Sequence, residues 1–323
     1  MFDVVSLGEI LIDFTPSGTN ELGMELFARN PGGAPANMLA MYCKLGGKGA
    51  LIGKVGDDVF GDFLTGTLRR AGINVSGVVK DSEVPTTLAF VQLDKHGDRS
   101  FSFYRKPGAD ICLTAGEVDA QLLRNCRIFH FGSVSLTDEP CRSATLTSVQ
   151  TAKQAGAIIS YDPNYRPPLW ASEADAVAEM CAALRYADIV KVSEEEMTLL
   201  TGETEAEKGA QALLEQGASL VLVTMGAKGA FCKNTRASAC KAAFDVATVD
   251  TTGAGDAFFG ALLFYLREKN AAELKTLSRE EMGAMLDFSN AAGSLTTTKK
   301  GAIPAMPTRK DIESCVRAGR WMR

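Results

Sequence analysis

Strands alternating with helices along most of 323 residues predict an α/β protein, with a mostly parallel central sheet flanked by helices and a small β lid. Three observations carry that prediction. Apolar runs of strand length, such as Ala50 to Val55 and Leu220 to Thr224, recur between segments with helical spacing and capping signatures. Residues 85–105 break the alternation with two strand-like runs in succession, a β-hairpin. No internal repeat and no low-complexity linker divides the chain. It therefore reads as one domain, 1–323, with lid segments inserted at about 15–30 and 85–108.

Each element follows from its residues. Phe2 to Phe14 reads as a first strand interrupted by Gly8 and Glu9, with Asp13 near its end. Open α/β sheets bind ligands at strand carboxyl ends, so Asp13 is either a substrate ligand or a turn initiator before Thr15-Pro16. Residues 17–30 are too polar and broken for core. Pro31-Gly-Gly-Ala-Pro-Ala-Asn37 then feeds a helix to about Leu45, and Asn37, one turn in, can point its amide over the glycines. A flexible turn is the competing reading. Asp57 is placed as the cap of a helix running from about Asp58 to Ala71.

The hairpin comprises Thr87 to Leu93 and Arg99 to Tyr104 around the turn Lys95-His-Gly-Asp98, with Arg105-Lys106 at its end directed to the cleft. Beyond it come helix 116–124, strand 127–131, helix 139–155, strand 157–161, helix 172–184 and strand 188–192. Ser193-Glu-Glu-Glu196 fits a capping box opening the next helix, and Ser278-Arg-Glu-Glu281 opens a later one. Gly226-Ala-Lys-Gly229 is a tight turn from one strand into another, and a final helix lies near 308–318. Phe244, Val246 and Val249 read as a short strand.

Composition bounds the function. A net charge of −5 without a Lys/Arg block argues against a nucleic-acid partner. The longest apolar run, Ala257 to Leu266, has ten residues, about half of the ~20 that span a bilayer. The acidic N-terminus lacks a signal-peptide pattern, so a cytoplasmic protein is expected. Eight scattered cysteines without a C-x-x-C pair read as free thiols, and two histidines supply neither a zinc site nor a His-based triad. A cysteine nucleophile is left open without support, and the chemistry is expected to rest on carboxylates, backbone N–H groups and basic side chains.

Asp250-Thr-Thr-Gly-Ala-Gly-Asp256, followed by an apolar helix, is the most informative stretch. A glycine-rich helix N-terminus binds anions, phosphate above all. Asp256 is then either a first-turn helix residue or a general base beside a transferring phosphoryl group. A dinucleotide fingerprint is the rival, but the third glycine and the distal acidic residue are missing.

That stretch resembles the carboxyl-terminal signature of the ribokinase-like sugar kinases, the PfkB family. Pro31 to Asn37, with Gly46-Gly47 and Gly53-Lys-Val-Gly56-Asp-Asp58, resembles the amino-terminal signature. The similarity spans nearly the whole chain. It implies Asp256 as the base, with Gly253, Ala254 and Gly255 as the anion hole for the γ-phosphoryl of ATP. It implies Asp13, Gly32, Gly33 and Asn37 as sugar ligands. Lys191, Ser193, Thr224, Gly226, Gly229 and Asn290 would line the ATP site, with Asn290 near adenine. Ser193 to Glu196 stands where the family usually has Asn-x-x-Glu; Ser replaces Asn, and Glu196 would order Mg²⁺ waters. Asp250, Thr252 and Gly301 correspond to loops that often hold K⁺.

Four segments are similar to those of fructokinases: Gly8 to Phe14, Pro31 to Asn37, Phe103 to Asp110 and Ser160 to Arg166. The resemblance implies ATP-dependent phosphorylation of D-fructose at its primary hydroxyl, to fructose 6-phosphate. Phe103, Arg105 and Arg166 would face the substrate. The alternative is a 2-keto-3-deoxygluconate kinase, or another family member acting on ribose or a riboside, since two arginines suit an acid sugar. Apolar lid strands would pair two subunits into a homodimer.

Overall fold

The computed structural model describes residues 1–93 and 99–319. The chain opens with β1 (Phe2–Leu7), β2 (Leu11–Thr19) and β3 (Glu25–Gly32), then α1 (Ala34–Lys44), β4 (Gly49–Gly56), α2 (Val59–Arg70) and β5 (Asn74–Asp81). β6 (Leu88–Leu93), β7 (Arg99–Tyr104), α3 (Ala120–Arg124), β8 (Cys126–Gly132), α4 (Cys141–Gln154) and β9 (Ile158–Asp162) follow. Next are α5 (Glu173–Leu184), β10 (Ile189–Ser193), α6 (Glu194–Thr201), α7 (Ala206–Glu215), β11 (Leu220–Thr224), β12 (Ala230–Lys233) and β13 (Ser238–Lys241). The chain closes with α8 (Ala254–Leu266), α9 (Ala271–Leu274), α10 (Arg279–Thr296) and α11 (Arg309–Ala318).

The central sheet has nine strands in the order β13-β12-β11-β10-β9-β8-β1-β4-β5. From β5 to β11 every pairing is parallel; β12 and β13 add antiparallel edges. Successive residues of β1 feed opposite cores, as period-2 geometry requires: Val4 packs with α1, α8 and α10, and Val5 with Phe129, Val149 and Met180. Both faces are therefore covered, which explains the uninterrupted apolar runs in the inner strands. Gly260 lets α8 press on α1, because a Cβ there would strike the Met38 carbonyl oxygen. That close crossing brings the first turns of the two helices together.

A second sheet, β3-β2-β6-β7, forms the lid. Its register places Asn30, Asp13, Ala89 and Phe103 side by side across the four strands. Ala89 is fully buried in this row, so it faces the body of the protein. The alternate residues Phe14 and Phe90 stack at 4.9 Å on the opposite face, where Phe14 also meets Phe60 of α2 edge-on at 6.0 Å.

Several expectations need correction. The strand expected over Phe2 to Phe14 is two strands in different sheets, broken at Gly8–Ile10. A Cβ on Gly8 would lie 2.5 Å from the Pro35 ring, so the break hugs the start of α1. Asp13 thus belongs to the lid and not to a central strand end. Residues 17–30 belong to the lid, as expected, and are largely strand in its β2–β3 hairpin. The cap of α2 is Asp58, which accepts from the Phe60 and Gly61 amides at 2.9 and 2.8 Å, while Asp57 pairs with Lys80. The helix expected at 116–124 is a 3₁₀ turn followed by the short α3. Residues Phe244 to Val249 are loop, because the edge position is filled by β13, which the sequence did not reveal. The other edge, β5, was missed too: Ser76 and Gly77 dilute its pattern. The turn Lys95–Asp98 lies outside the described residues.

Candidate active site

Helix α8 begins at Gly253, which takes φ 76° and supplies no side-chain cap. A Cβ there would meet that of Ala302 at 2.5 Å, so only glycine makes this turn. The helix N-terminus is left without a side-chain acceptor, and a cation reinforces it: Lys191 Nζ lies 3.5 Å from where a Gly255 Cβ would stand. Lys191 is the middle residue of β10 and pairs with Asp162, at the end of β9, at 2.8 Å.

Asp256 sits one turn into α8. Burial pushes its carboxyl up to about 6, with Asp162 adding to the rise and Asn37, Lys191 and Arg166 opposing it. Asn37 Nδ2 donates to Asp256 Oδ2 at 2.9 Å, whereas Asn37 Oδ1 is buried without a protein partner among the described residues. A buried amide oxygen in that state is suited to accept from a ligand hydroxyl.

The lid supplies a second carboxylate. Asp13 is also raised to about 6, by burial first and by Asp256 further, while Arg166 holds it down. Its Oδ2 occupies the space that any side chain at position 32 would need, which makes Gly32 the residue that admits it. Gly33 takes φ 112°, and a Cβ there would collide with the Glu9 carbonyl oxygen. Asp13 and Phe103 share the inward row of the lid, facing Asn37 and Asp256 across the cleft.

On the other side of Gly255 lies a cavity of about 560 Å³, lined among others by Tyr165, Arg166, Lys191, Ser193, Glu196 and Thr224. Both Glu196 oxygens accept backbone N–H groups at 2.8 Å, from Tyr165 and from Ser193. Each Glu196 oxygen keeps a further lone pair for water or a metal ion, and among the described residues no group of three or more His, Cys, Asp or Glu side chains is clustered to hold one. Gly226 and Gly229, with φ 56° and 101°, shape the β11–β12 turn but do not line this cavity. Asn290 lies outside its lining as well; its amide donates to the Lys241 and Ala242 carbonyls at 3.0 and 3.1 Å and ties down the loop after β13. Asp250, Thr252 and Gly301 do converge. Asp250 accepts from the Thr252 hydroxyl at 2.7 Å and from the Gly301 amide at 2.9 Å.

The arrangement is an uncapped helix N-terminus between a cavity of about 560 Å³ and a pocket with two raised carboxylates. The model of the pfkB family of carbohydrate kinases matches residues 1–309. The chain belongs to that family. It is a phosphotransferase with an alcohol acceptor on a sugar. Over 312 residues it is 46% identical to fructokinase-2 of Oryza sativa subsp. japonica, covering 94% of this chain and 91% of that protein. It is 45% identical to a fructokinase of Solanum tuberosum, covering 98% and 96% of the two chains. Among solved structures, the fructokinase of Xylella fastidiosa with bound ATP superposes at a TM-score of 0.91 with 34% identity, covering 98% and 99%. The fructokinase of Vibrio cholerae O395 bound to fructose, ADP and calcium gives 0.86 with 34% identity, covering 97% and 98%. The ribokinase-like fold with an antiparallel lid follows from these matches.

Within this kinase the two arginines differ in kind. Arg166 borders the cavity and acts electrostatically on both raised carboxylates. Arg105, expected at the substrate, is buried at the foot of the lid. Its guanidinium binds Asp110 at 2.7 Å, the Thr137 hydroxyl at 2.8 Å and the Val134 carbonyl at 3.0 Å. Those donors are spent on protein, which makes Arg105 an anchor of the lid base. The sequence reading put Asp162 among polar groups at a strand's carboxyl end but gave neither it nor Glu9 a role. A polar residue closing an otherwise buried strand was the available signal for Asp162; for Lys191 it was a charge in the middle of an apolar strand.

Proposed function

We propose that this kinase transfers the γ-phosphoryl group of ATP to the primary hydroxyl of D-fructose, giving fructose 6-phosphate and ADP. One observation carries the reading: Asp256, raised to about 6, stands in the first turn of the helix whose open N-terminus faces Lys191 and the cavity. A carboxylate with that pKa is ionised at neutral pH yet still basic enough to accept a proton. Similarity to fructokinases supports fructose as the acceptor.

Asp13 and Asn37 hold sugar hydroxyls across the cleft, with Gly32 and Gly33 admitting close approach. Phe103 lines the lid side. The lid lowers over the sugar and excludes water, which would otherwise accept the phosphoryl group. Asp256 takes the hydroxyl proton as the oxygen attacks phosphorus and the bond to the ADP oxygen breaks. The Gly253–Gly255 helix end and Lys191 stabilise the negative charge on the transferring group. Thr224 and Ser193 border the nucleotide. Mg²⁺ would supply neutralisation of phosphate charge, and Glu196 would hold it through water. Asp250, Thr252 and Gly301 fit a K⁺ loop site beside the helix end, because carboxylate, hydroxyl and backbone converge there.

Assay of ADP release with fructose, 2-keto-3-deoxygluconate, ribose and adenosine tests the reading. Turnover of fructose is expected; turnover of the keto-acid alone would overturn the acceptor and assign Arg166 to its carboxylate. The proposal extends to a cytoplasmic homodimer joined through the lid. No helix among the described residues is long and apolar enough to cross a membrane. Leu22, Met24, Leu26 and Tyr104 are exposed on the lid, Leu22 at 81%. A monomeric mass by light scattering at micromolar concentration would refute the dimer.

A further inference from the structure

The chain passes between the central sheet and the lid at four places, and each ends on one buried polar cluster. The crossings are Gly8–Ile10, Gly33, the segment 82–87 and the segment after Tyr104. Glu9 stands on the first, and the Ala34 amide follows the second. Thr87 closes the third, and Arg105 and Asp110 belong to the fourth. All four side chains are buried. The Thr87 hydroxyl donates to Asp110, and Arg105 Nε donates to Asp110 Oδ2 at 2.8 Å. Glu9 Oε1 accepts from the Ala34 amide at 2.9 Å, and its carboxyl interacts electrostatically with Arg105 and Asp110.

The Ala34 amide is the first donor of α1. Gly33 offers no side-chain cap and Pro35 has no N–H, so α1 receives its capping acceptor from Glu9, twenty-five residues earlier. The same first turn carries Asn37. Its amide is fixed on the Gly33 carbonyl at 2.9 Å and its side chain on Asp256 at 2.9 Å.

We infer that Glu9 is a positioning residue for phosphoryl transfer: by capping the Ala34 amide at the lid junction, it fixes the first turn of α1 and the aim of Asn37 at Asp256. The inference rests on the kinase mechanism above but concerns a residue that touches neither sugar nor nucleotide. Burial pushes Glu9 up to about 7, so near neutrality it is partly protonated, and its carbonyl oxygen can accept from the Ala34 amide in either form.

Two variants separate reach from charge. Glu9→Gln keeps the acceptor at full length and removes the charge. Glu9→Asp keeps the charge and withdraws the oxygen by one methylene. Steady-state kinetics with ATP and fructose should leave Glu9→Gln within about threefold of the parent, while Glu9→Asp loses about tenfold or more in kcat with KM for ATP nearly unchanged. Amide hydrogen exchange of the ligand-free proteins gives a second readout: faster exchange at Ala34 to Asn37 in Glu9→Asp, unchanged protection in Glu9→Gln. A Gln variant as impaired as the Asp variant would overturn the inference, as would an Asp variant with parental kcat and protection. If Glu9→Asp does not fold, protection in Glu9→Gln decides: retained supports capping, lost overturns it. Failure of the parent enzyme to use fructose would count against the proposed acceptor alone, because the exchange measurement needs no substrate.

Discussion

The two sides of the cleft hold carboxylates with the same pKa, about 6, but built differently. Asp256 stands on a helix buried in the body, receives an amide hydrogen bond from Asn37 and has Lys191 and Arg166 nearby. Asp13 stands on the second strand of the lid, opposed only by Arg166 among the cations that shift it. The difference separates rigid chemistry from adjustable binding. In the proposed mechanism the body would fix the group that accepts a proton, and the lid would bring the group that selects the sugar.

The largest expected effect breaks the body side. Asp256→Asn should lower kcat by about 10²–10⁴, with ATP affinity by calorimetry unchanged; a normal kcat would remove Asp256 from the mechanism. Next, the two arginines should part ways. Arg105→Met strands Asp110 in a buried site and should cost about 3–5 kcal/mol of stability, read by urea denaturation. Arg166→Met should leave stability near that of the parent and raise KM for substrate. Equal destabilisation by both would erase the distinction drawn between them.

Asp13→Asn should act on binding. Loss of a charged hydrogen-bond partner is expected to cost about 1.5–3 kcal/mol, seen as a ten- to hundredfold rise in KM for fructose with a smaller change in kcat. The smallest effect is on pH. The folded pKa values of both aspartates, about 6, lie above the ordinary 3.8, so the folded state holds these protons more tightly than the unfolded chain. Their favourable contribution is complete below pH 4 and lost as pH rises through 6. Asp256→Asn should therefore be more stable than the parent at pH 8 by about 1–3 kcal/mol, and the gap should close by pH 4 in thermal melts. Activity should run the other way, with kcat/KM falling as pH drops below 6 and Asp256 takes up its proton.

Residues near in sequence made parts of the site legible. Gly253, Gly255 and Asp256 lie in one turn, and Ser193 and Glu196 in one capping box that the structure reproduces, the Ser193 hydroxyl accepting from the Glu196 amide at 3.1 Å. Inner strands were legible because burial on both faces leaves continuous apolar runs. Edge strands β5 and β13 were not, because exposed edges carry mixed residues.

By itself, then, the sequence determined the α/β class, the glycine-led start of α8 and the pair of motifs that mark a sugar kinase, since each is written in contiguous residues and local backbone needs. Tertiary structure alone decided that the first strand divides between two sheets, that Arg105 is consumed by Asp110, and that Asp162 pairs with Lys191. It also decided that Glu9 caps a helix twenty-five residues away. Those outcomes depend on which distant groups burial brings within hydrogen-bond reach, and no local pattern records that distance.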